Sequence, residues 1–165
     1  LSLDNFVKYS SSIATVKEID EYGLSFANAI AMKRSIFSLI QELKNSQTHK
    51  KKDFCIFVDG KIKPDFENLD NFLKCKKLQL DNCSVEALVK GDSICKTIAL
   101  ASILSKETRD TIMRQLSKKH PSYLFDNHFG YGTKNHMNAI LRNGILDLHR
   151  KSFKPITSIY SKKTQ

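Results

Sequence analysis

Two aspartates stand next to a glycine at the end of a short apolar run. Asp59 follows the run Phe54–Val58, and Asp92 follows the run Val85–Val89. In open α/β sheets, ligands collect at the carboxyl ends of strands, and carboxylate oxygens there can hold a hard cation such as magnesium. Either aspartate alone is equally well explained as a turn residue, since Asp-Gly and Gly-Asp are common turn dipeptides. The pair together favours a metal site.

Phosphodiester hydrolysis by paired cations is the chemistry that such a site performs. It normally takes more carboxylates than Asp59 and Asp92 supply. Asp110, Asp126 and Asp147 lie in predicted helical or loop contexts without a strand-end position. The sequence therefore predicts Asp59 and Asp92 as metal-binding and catalytic residues of a half-complete site.

Tyr131 lies between Gly130 and Gly132, and glycines on both sides let a backbone approach a ligand closely. An aromatic ring in such a turn can stack on a base or sugar, or it can pack beneath the turn. Basic residues near it in sequence are candidate phosphate contacts, although each is equally consistent with plain solvation: Lys106, Arg109, Lys134, Arg150 and Lys151.

The histidines and cysteines do not follow a ligand pattern. His128, His136 and His149 are too scattered in sequence for a metal or triad motif, so we expect surface or hydrogen-bonded side chains. None of the 4 cysteines forms a C-x-x-C pair. Cys55 and Cys95 lie in apolar segments, which predicts buried free thiols in a reducing cytoplasm.

Composition indicates a globular protein with a polyanionic partner or a lysine-rich surface. The 165 residues suffice for one domain with a sizeable core. The net charge of +10 favours phosphate contacts, but charge alone does not separate nucleic-acid binding from a solvated basic surface. No apolar run approaches the roughly 20 residues of a membrane span, and no signal peptide is recognisable.

Helical and strand patterns alternate along the chain, which indicates an α/β fold. Asp110 is expected to pair with Arg114 one turn further along a helix predicted at Ile94–Lys118. Pro121 should end that helix, and Thr133 should cap the last helix, which ends at Gly144. The predicted elements are a strand at Tyr9–Val16, a helix at Glu18–Leu43, strands at Phe54–Val58 (buried on both faces) and Val85–Val89, and a helix at Ile94–Lys118 with Ile94, Ile98, Ala101 and Leu104 facing inward.

Five motifs in register resemble one family. They are Val58-Asp59-Gly60, Val89-Lys90-Gly91-Asp92-Ser93, Ala101-Ser102-Ile103-Leu104-Ser105-Lys106 with Thr108-Arg109-Asp110, Gly130-Tyr131-Gly132-Thr133 and His149-Arg150-Lys151-Ser152-Phe153. Together, from about Tyr9 to Pro155, they resemble ribonuclease HII, the type 2 ribonuclease H. The resemblance implies a ribonuclease H-like mixed sheet flanked by helices, with a C-terminal helical extension.

The resemblance also implies a function. It implies an endonuclease that uses Mg²⁺ or Mn²⁺ to cut the RNA strand of RNA–DNA hybrids and ribonucleotides embedded in duplex DNA. Asp59 and Asp92 match two of the family's catalytic carboxylates, and Tyr131 matches the tyrosine at the ribonucleotide–deoxyribonucleotide junction. Residues 1–120 would form a partial catalytic core and residues 121–165 a substrate-binding extension. The complete protein would be a cytoplasmic monomer.

One departure from the family pattern is large. Nothing in the chain corresponds to the Asp-Glu-x-Gly-Arg-Gly segment, which supplies the other carboxylates. We therefore expect an N-terminally truncated fold without the first two strands, with an unpaired strand edge, low stability in isolation and little or no cleavage. Three interpretations stay open: an enzyme whose first segment is missing from this sequence, a non-catalytic hybrid-binding remnant, or a fragment of a decayed gene.

Overall fold

A computed structural model describes residues 7–45, 54–61 and 83–161 of the chain. The chain divides into two compact units, one built from Leu1–Ala14 and Ser25–Leu104, the other from Thr15–Leu24 and Ser105–Gln165. The elements are α1 (Val16–Asn45), β1 (Phe54–Asp59), β2 (Cys83–Leu88), α2 (Gly91–Ile94), α3 (Lys96–Lys119), a 3-10 turn (Pro121–Tyr123), α4 (Phe125–His128), α5 (Lys134–Asn143) and α6 (Ile156–Ser161).

The first unit is organised around two parallel strands. β1 and β2 pair from Phe54 opposite Cys83 to Asp59 opposite Leu88. Buried Ala29 and Ile40 of α1 form its core with partly buried neighbours from α1, β1 and β2, namely Met32, Ile36, Phe37, Phe54, Ile56, Val58 and Val85. The described residues thus confirm a mixed α/β fold and the strands predicted at Phe54–Val58 and Val85–Val89.

The expectation that β1 is buried on both faces is wrong. Its side chains alternate between half-buried and exposed, and Phe57 is 39% exposed. The half-buried face packs against α1, so an uninterrupted apolar run coexists here with a strand that is covered on one face.

The predicted strand at Tyr9–Val16 is also wrong. Residues 7–15 form no strand, and α1 begins at Val16. A capping box begins α1 at this point. The Thr15 hydroxyl accepts a hydrogen bond from the Glu18 amide at 3.2 Å, while the Glu18 carboxylate accepts one from the Thr15 amide at 2.8 Å. Ile13 is the one β-branched residue between Tyr9 and Ala14, and Thr15 and Val16 belong to the cap and the first turn of α1.

The helix predicted at Ile94–Lys118 is divided in the structure. Cys95 has an extended backbone and separates α2 from α3. Ile98 is 6% exposed, as an inward position requires, but Ile94 is 70% exposed and Ala101 is also exposed, so the inward assignments of Ile94 and Ala101 are wrong.

The Asp110–Arg114 ion pair expected on α3 does not form, because each residue has another partner. Asp110 binds Lys106 one turn earlier at 2.6 Å, and Arg114 binds Glu107 at 3.0 Å.

The second unit has its own apolar core. It consists of Tyr123, Phe125, Ala139, Ile140 and Ile156. α3 ends before Pro121, as predicted, and the Thr133 hydroxyl caps α5 by accepting the His136 amide at 3.3 Å. Gly144 ends α5 at a positive φ of 93°. α5 is not the last helix, because α6 follows it.

The cysteine prediction is half right. Cys55 and Cys95 are free thiols, but neither is fully buried. Cys55 is exposed because it lies on the uncovered face of β1, and Cys95 is half-buried. Among the described helices, none has the length and apolar character that a membrane crossing requires.

Replacing the Thr133 cap should destabilise the second unit. We expect Thr133→Ala to lower the free energy of unfolding by about 1 kcal/mol, since an orphan amide of α5 loses its acceptor. Urea unfolding measures this difference. Thr111→Ala, at an exposed site inside α3, is the matched control and should be neutral or slightly stabilising. Equal losses in both variants would refute the capping role.

Candidate functional site

Asp59 holds the turn that leads to Asp92. Asp59 is the last residue of β1, and its Oδ1 accepts a hydrogen bond from the Gly91 amide at 2.8 Å. The neighbouring Gly60 amide donates to the Leu88 carbonyl at 2.8 Å. These two bonds tie the end of β1 to the end of β2. Asp59 therefore lies at the end of β1 as predicted, whereas Asp92 lies beyond the end of β2, in the first turn of α2.

The backbone between β2 and Asp92 is tightly constrained. Lys90 has a left-handed conformation with φ 57°, which is uncommon for a side chain other than glycine. Gly91 is buried, and a Cβ there would lie 2.5 Å from the Ile98 Cδ1 and 3.3 Å from the Asp59 Oδ1. Asp92 follows in the first turn of α2 with an exposed side chain that accepts from the Ser93 hydroxyl at 3.4 Å.

This carboxylate pair suits one type of cation site. Within the described residues, no group of three or more His, Cys, Asp or Glu side chains could hold a metal. Magnesium is commonly bound through one or two carboxylates together with waters and substrate phosphates. Asp92, exposed beside the ordered Gly91 turn, fits such a partly hydrated site, with Asp59 as its neighbour.

Tyr131 is presented by a turn in the second unit. Phe129 and Gly130 both have positive φ, 47° and 78°. The Tyr131 ring is 66% exposed, so the alternative that it packs beneath the turn is wrong. The Arg109 guanidinium lies over this ring, 5.1 Å from its centroid, and donates to the Phe129 carbonyl at 2.7 Å. Arg109 therefore supports the turn as well as adding charge beside the ring.

The fold brings together three histidines that the sequence left scattered. His128, His136 and His149 are 5–6% exposed, and their rings contact one another. The expectation of surface side chains is wrong, whereas that of hydrogen-bonded side chains is confirmed. Their separations in sequence match no known ligand spacing, so the sequence alone does not reveal that the three rings form a cluster.

The other basic residues differ in their surroundings. The Lys106 ammonium is bound to Asp110, and this hydrogen bond raises the pKa of Lys106. Lys134 is exposed at the start of α5, and the Arg150 guanidinium lies 5.0 Å from the Phe153 ring centroid. The loop after Arg150 is held by Asp20, which accepts from the Lys151 amide at 2.9 Å and the Ser152 amide at 3.0 Å.

Asp110 lies within a helix, a position at which the sequence predicts no metal ligand. Among the acidic side chains that the structure describes, Asp110 is buried, at 6% exposure. Lys106 is its ionic partner at 2.6 Å, although the lysine side chain is itself 75% exposed. Its burial and its ion pair with Lys106 are not revealed by amphipathic periodicity alone.

Comparison with known proteins agrees with the motifs. A model of the ribonuclease HII family matches residues 6–156. The chain belongs to the ribonuclease HII family. It is 37% identical to ribonuclease HII of Staphylococcus carnosus over 161 residues, 98% of this chain and 52% of that protein. It is 35% identical to ribonuclease HII of Wolbachia pipientis wMel over 155 residues, 94% of this chain and 66% of that protein.

A third relative gives the same picture. Ribonuclease HII of Neisseria meningitidis serogroup C is 36% identical over 151 residues, 92% of this chain and 66% of that protein. The chain thus spans between about half and two thirds of the length of these ribonuclease HII proteins. The family assignment made from the motifs is confirmed. The roles of individual residues, and the division at residue 120, stay predictions.

A methyl group at Gly91 should disturb the packing at the C-terminal ends of β1 and β2. We expect Gly91→Ala to reduce the free energy of unfolding by about 1–3 kcal/mol, the range for overpacking, because Ile98 is buried and must move. Urea unfolding tests this. Gly132→Ala is the control, because no atom lies within 4 Å of its added Cβ. An unchanged midpoint for Gly91→Ala would contradict the close packing.

The Asp20 contacts predict a pH-dependent contribution to stability. Partial burial raises the pKa of Asp20, but hydrogen bonds from the Ser152 side chain and amide and from the Lys151 amide outweigh it and lower the pKa. A lowered carboxyl pKa stabilises the fold above its unfolded value of about 3.9 and loses this contribution as pH falls through the folded value. Wild type should therefore exceed Asp20→Asn in unfolding free energy at pH 5–7.

Acidification should shrink that difference. Urea midpoints of wild type and Asp20→Asn should converge below about pH 4, the unfolded aspartate value. Asp147→Asn is the control, because the Asp147 side chain is 100% exposed in its pair with Lys151, and exposed pairs contribute little. A wild-type advantage that persists unchanged to pH 3 would show that Asp20 acts through packing instead of charge.

Proposed function

We propose that this chain serves a metal-dependent endonuclease that hydrolyses the RNA strand of RNA–DNA hybrids and cuts at ribonucleotides embedded in duplex DNA. The observation that carries the proposal is the hydrogen bond from the Gly91 amide to Asp59, which orders the turn that exposes Asp92. Membership of the ribonuclease HII family supplies the reaction class. Cleavage leaves a 3′-hydroxyl and a 5′-phosphate.

Asp92 and Asp59 would hold Mg²⁺ or Mn²⁺. When bound, such an ion activates water and stabilises the developing charge on the phosphodiester oxygens. The protein's own contribution is placement and charge. Asp59 fixes the Gly91 turn through one carboxylate oxygen, and Asp92 presents its carboxylate to solvent. The hydrogen bond from Gly91 supports a positioning role for Asp59 toward Asp92, in addition to its proposed role as a metal ligand.

The nucleic-acid contacts come from the Tyr131 turn and the basic side chains. An exposed ring backed by a guanidinium offers a flat surface for stacking on a sugar or base. Lys106, Lys134 and Arg150 add positive charge for phosphate contacts. Recognition of the 2′-hydroxyl separates RNA from DNA. The proposal includes a cytoplasmic, monomeric protein. The free thiols of Cys55 and Cys95 are consistent with the reducing cytoplasm.

A second candidate function is binding without cleavage. The Tyr131 turn and Arg109 form an ordered aromatic and cationic surface within the second unit. The contacts that order it involve neither Asp59 nor Asp92. A protein that recognises RNA–DNA hybrids without cutting them would keep this surface.

A cleavage and binding assay distinguishes the two functions. The substrate is a fluorescent DNA duplex with one embedded ribonucleotide, and an all-DNA duplex of the same sequence is its control. Because the sequence predicts a low rate for these 165 residues, enzyme is supplied in excess, with Mg²⁺ or Mn²⁺. We expect cleavage at the ribonucleotide that falls at least about 100-fold in Asp92→Asn, the order of loss for a charge-stabilising group.

Each result has one meaning. Ribonucleotide-dependent cleavage that requires Asp92 supports the endonuclease. Selective binding that is weakened by Tyr131→Ala, without metal-dependent cleavage, supports the binding protein. Failure to distinguish the two duplexes in either assay would overturn both functions.

A further inference from the structure

A tight turn from Arg150 to Phe153 is held by a carboxylate from α1. The Phe153 amide donates to the Arg150 carbonyl at 3.2 Å, which closes the turn. The two central amides, those of Lys151 and Ser152, donate to the Asp20 carboxylate at 2.9 and 3.0 Å. One side chain from a distant part of the sequence therefore binds both central residues of the turn.

The contact with Asp20 uses both of its carboxylate oxygens. Oδ2 accepts the Lys151 amide, whereas Oδ1 accepts both the amide and the hydroxyl of Ser152, the latter at 2.5 Å. Hydrogen bonds to an ionised carboxylate are stronger than those between neutral groups. On the other side, the Thr157 hydroxyl of α6 donates to the Lys151 carbonyl at 2.9 Å. The central backbone of the turn is thus fixed through both its N–H and its C=O groups.

The conformation of the turn places the Arg150 side chain. Arg150 and Phe153 are the first and last residues of the turn, and both are half-buried. The Arg150 guanidinium lies 5.0 Å from the centroid of the Phe153 ring, within the roughly 6 Å range of a cation–π contact. Because this contact joins the two ends of the turn, it depends on the turn being closed.

The stacked guanidinium keeps its N–H groups for a ligand. In the described ranges of the chain, no acidic side chain forms an ion pair with Arg150. Neighbouring cations are engaged: Lys151 binds Asp147, and Arg109 donates to the Phe129 carbonyl. A guanidinium carries five N–H donors in a planar fork that matches the oxygens of a phosphate. Arg150 is therefore suited to bind an anion.

The charge of Asp20 by itself opposes such binding. A carboxylate beside a basic turn lowers the local positive potential and repels a polyanion. Asp20 can favour phosphate binding at this turn only through the geometry that it imposes on the backbone. The sign of its effect on binding therefore separates a positioning role from a purely electrostatic one.

We propose that Asp20 is a positioning residue for Arg150: by binding the Lys151 and Ser152 amides, it holds the Arg150 guanidinium for contact with a backbone phosphate of the nucleic acid. The inference rests on the proposed function, because its ligand is the duplex proposed there. A phosphate contact carries no information about the base. The Arg150 contact therefore serves duplexes with and without a ribonucleotide alike.

Binding measurements over a range of salt concentration test the role of Asp20. The probes are a fluorescent DNA duplex with one embedded ribonucleotide and an all-DNA duplex of the same sequence, followed by anisotropy in EDTA. Arg150→Ala should weaken the binding of both duplexes and reduce the slope of log K against log salt by about 1, as expected for one lost phosphate contact.

Asp20→Asn should have the same effect as Arg150→Ala. Its amide keeps one acceptor oxygen, but an NH2 group replaces the other and faces an N–H donor. We expect affinity for both duplexes to fall by about 5-fold, the size of one hydrogen bond, with the same reduction in salt slope. Loss of a negative charge alone would instead tighten binding to a polyanion.

Asp147→Asn is the matched control for charge. The Asp147 side chain is fully exposed and contacts the turn region through the Lys151 ammonium. This variant removes the same charge without removing a bond to the turn's backbone, so it should bind both duplexes as tightly as wild type or more tightly. If Asp20→Asn binds as tightly as Asp147→Asn, the proposal is wrong.

The double variant separates positioning from general destabilisation. In an Arg150→Ala background, Asp20→Asn should cause no further loss of affinity, because the guanidinium that Asp20 positions is already absent. Independent effects would multiply to a loss of about 25-fold, and that result would contradict the proposal. Urea unfolding of each variant establishes that it is folded under the binding conditions.

Nuclear magnetic resonance of the wild-type chain tests the same contacts without any substitution. The Lys151 and Ser152 amides should exchange slowly with solvent, and the Arg150 Nε–H signal should shift when either duplex is added. Rapid exchange of both amides, or an Arg150 signal that stays unchanged in the complex, would overturn the positioning role.

Failure of the proposed function gives a different result. Equal binding of the two duplexes that depends on Asp20 and Arg150 would overturn ribonucleotide recognition but support the phosphate contact. Selective binding of the ribonucleotide duplex that is unaffected by Asp20→Asn would overturn only the positioning role. Binding of neither duplex would overturn both.

Discussion

Each turn that carries a candidate functional residue is held by a side chain from elsewhere in the sequence that hydrogen-bonds to the turn's backbone. The Asp59 carboxylate binds the Gly91 amide, the His136 ring binds the Tyr131 carbonyl, and the Asp20 carboxylate binds the Lys151 and Ser152 amides. Backbone groups in a turn lack the regular partners of a helix or sheet and must be satisfied in another way. These bonds supply the partners and set the positions of Asp92, Tyr131 and Arg150.

This arrangement separates the residue that meets a ligand from the residue that positions it. Asp92 and Tyr131 are exposed, whereas Gly91 and His136 beside them are buried. An exposed side chain keeps its rotamer freedom, but a fixed backbone limits the space that the side chain can reach. The left-handed conformations of Lys90 and Phe129 occur next to these positions, and such backbone strain persists only where surrounding contacts determine it.

Local sequence signals predict the elements where a single short-range interaction dominates. Pro121, Thr133 and Gly144 act through their own backbone chemistry, and α3 and α5 end or begin where these residues require. Two short-range signals compete at Tyr9–Val16. Ile13, Thr15 and Val16 favour a strand, whereas the Thr15–Glu18 capping box begins α1 at Val16 and takes two of these residues out of the predicted strand. The continuous apolar run of β1 likewise indicates a strand but not how many of its faces are covered.

The amino-acid sequence by itself determined the α/β class, the two strands that end near Asp59 and Asp92, and the ribonuclease HII family. Apolar periodicity, capping residues and motif order are properties of neighbouring residues and can be read directly along the chain. Tertiary structure alone decided that three histidines separated in sequence share one buried cluster and that Arg109 lies on the Tyr131 ring. The reason is physical: burial and proton position depend on which distant groups meet in space, and no local pattern encodes that meeting.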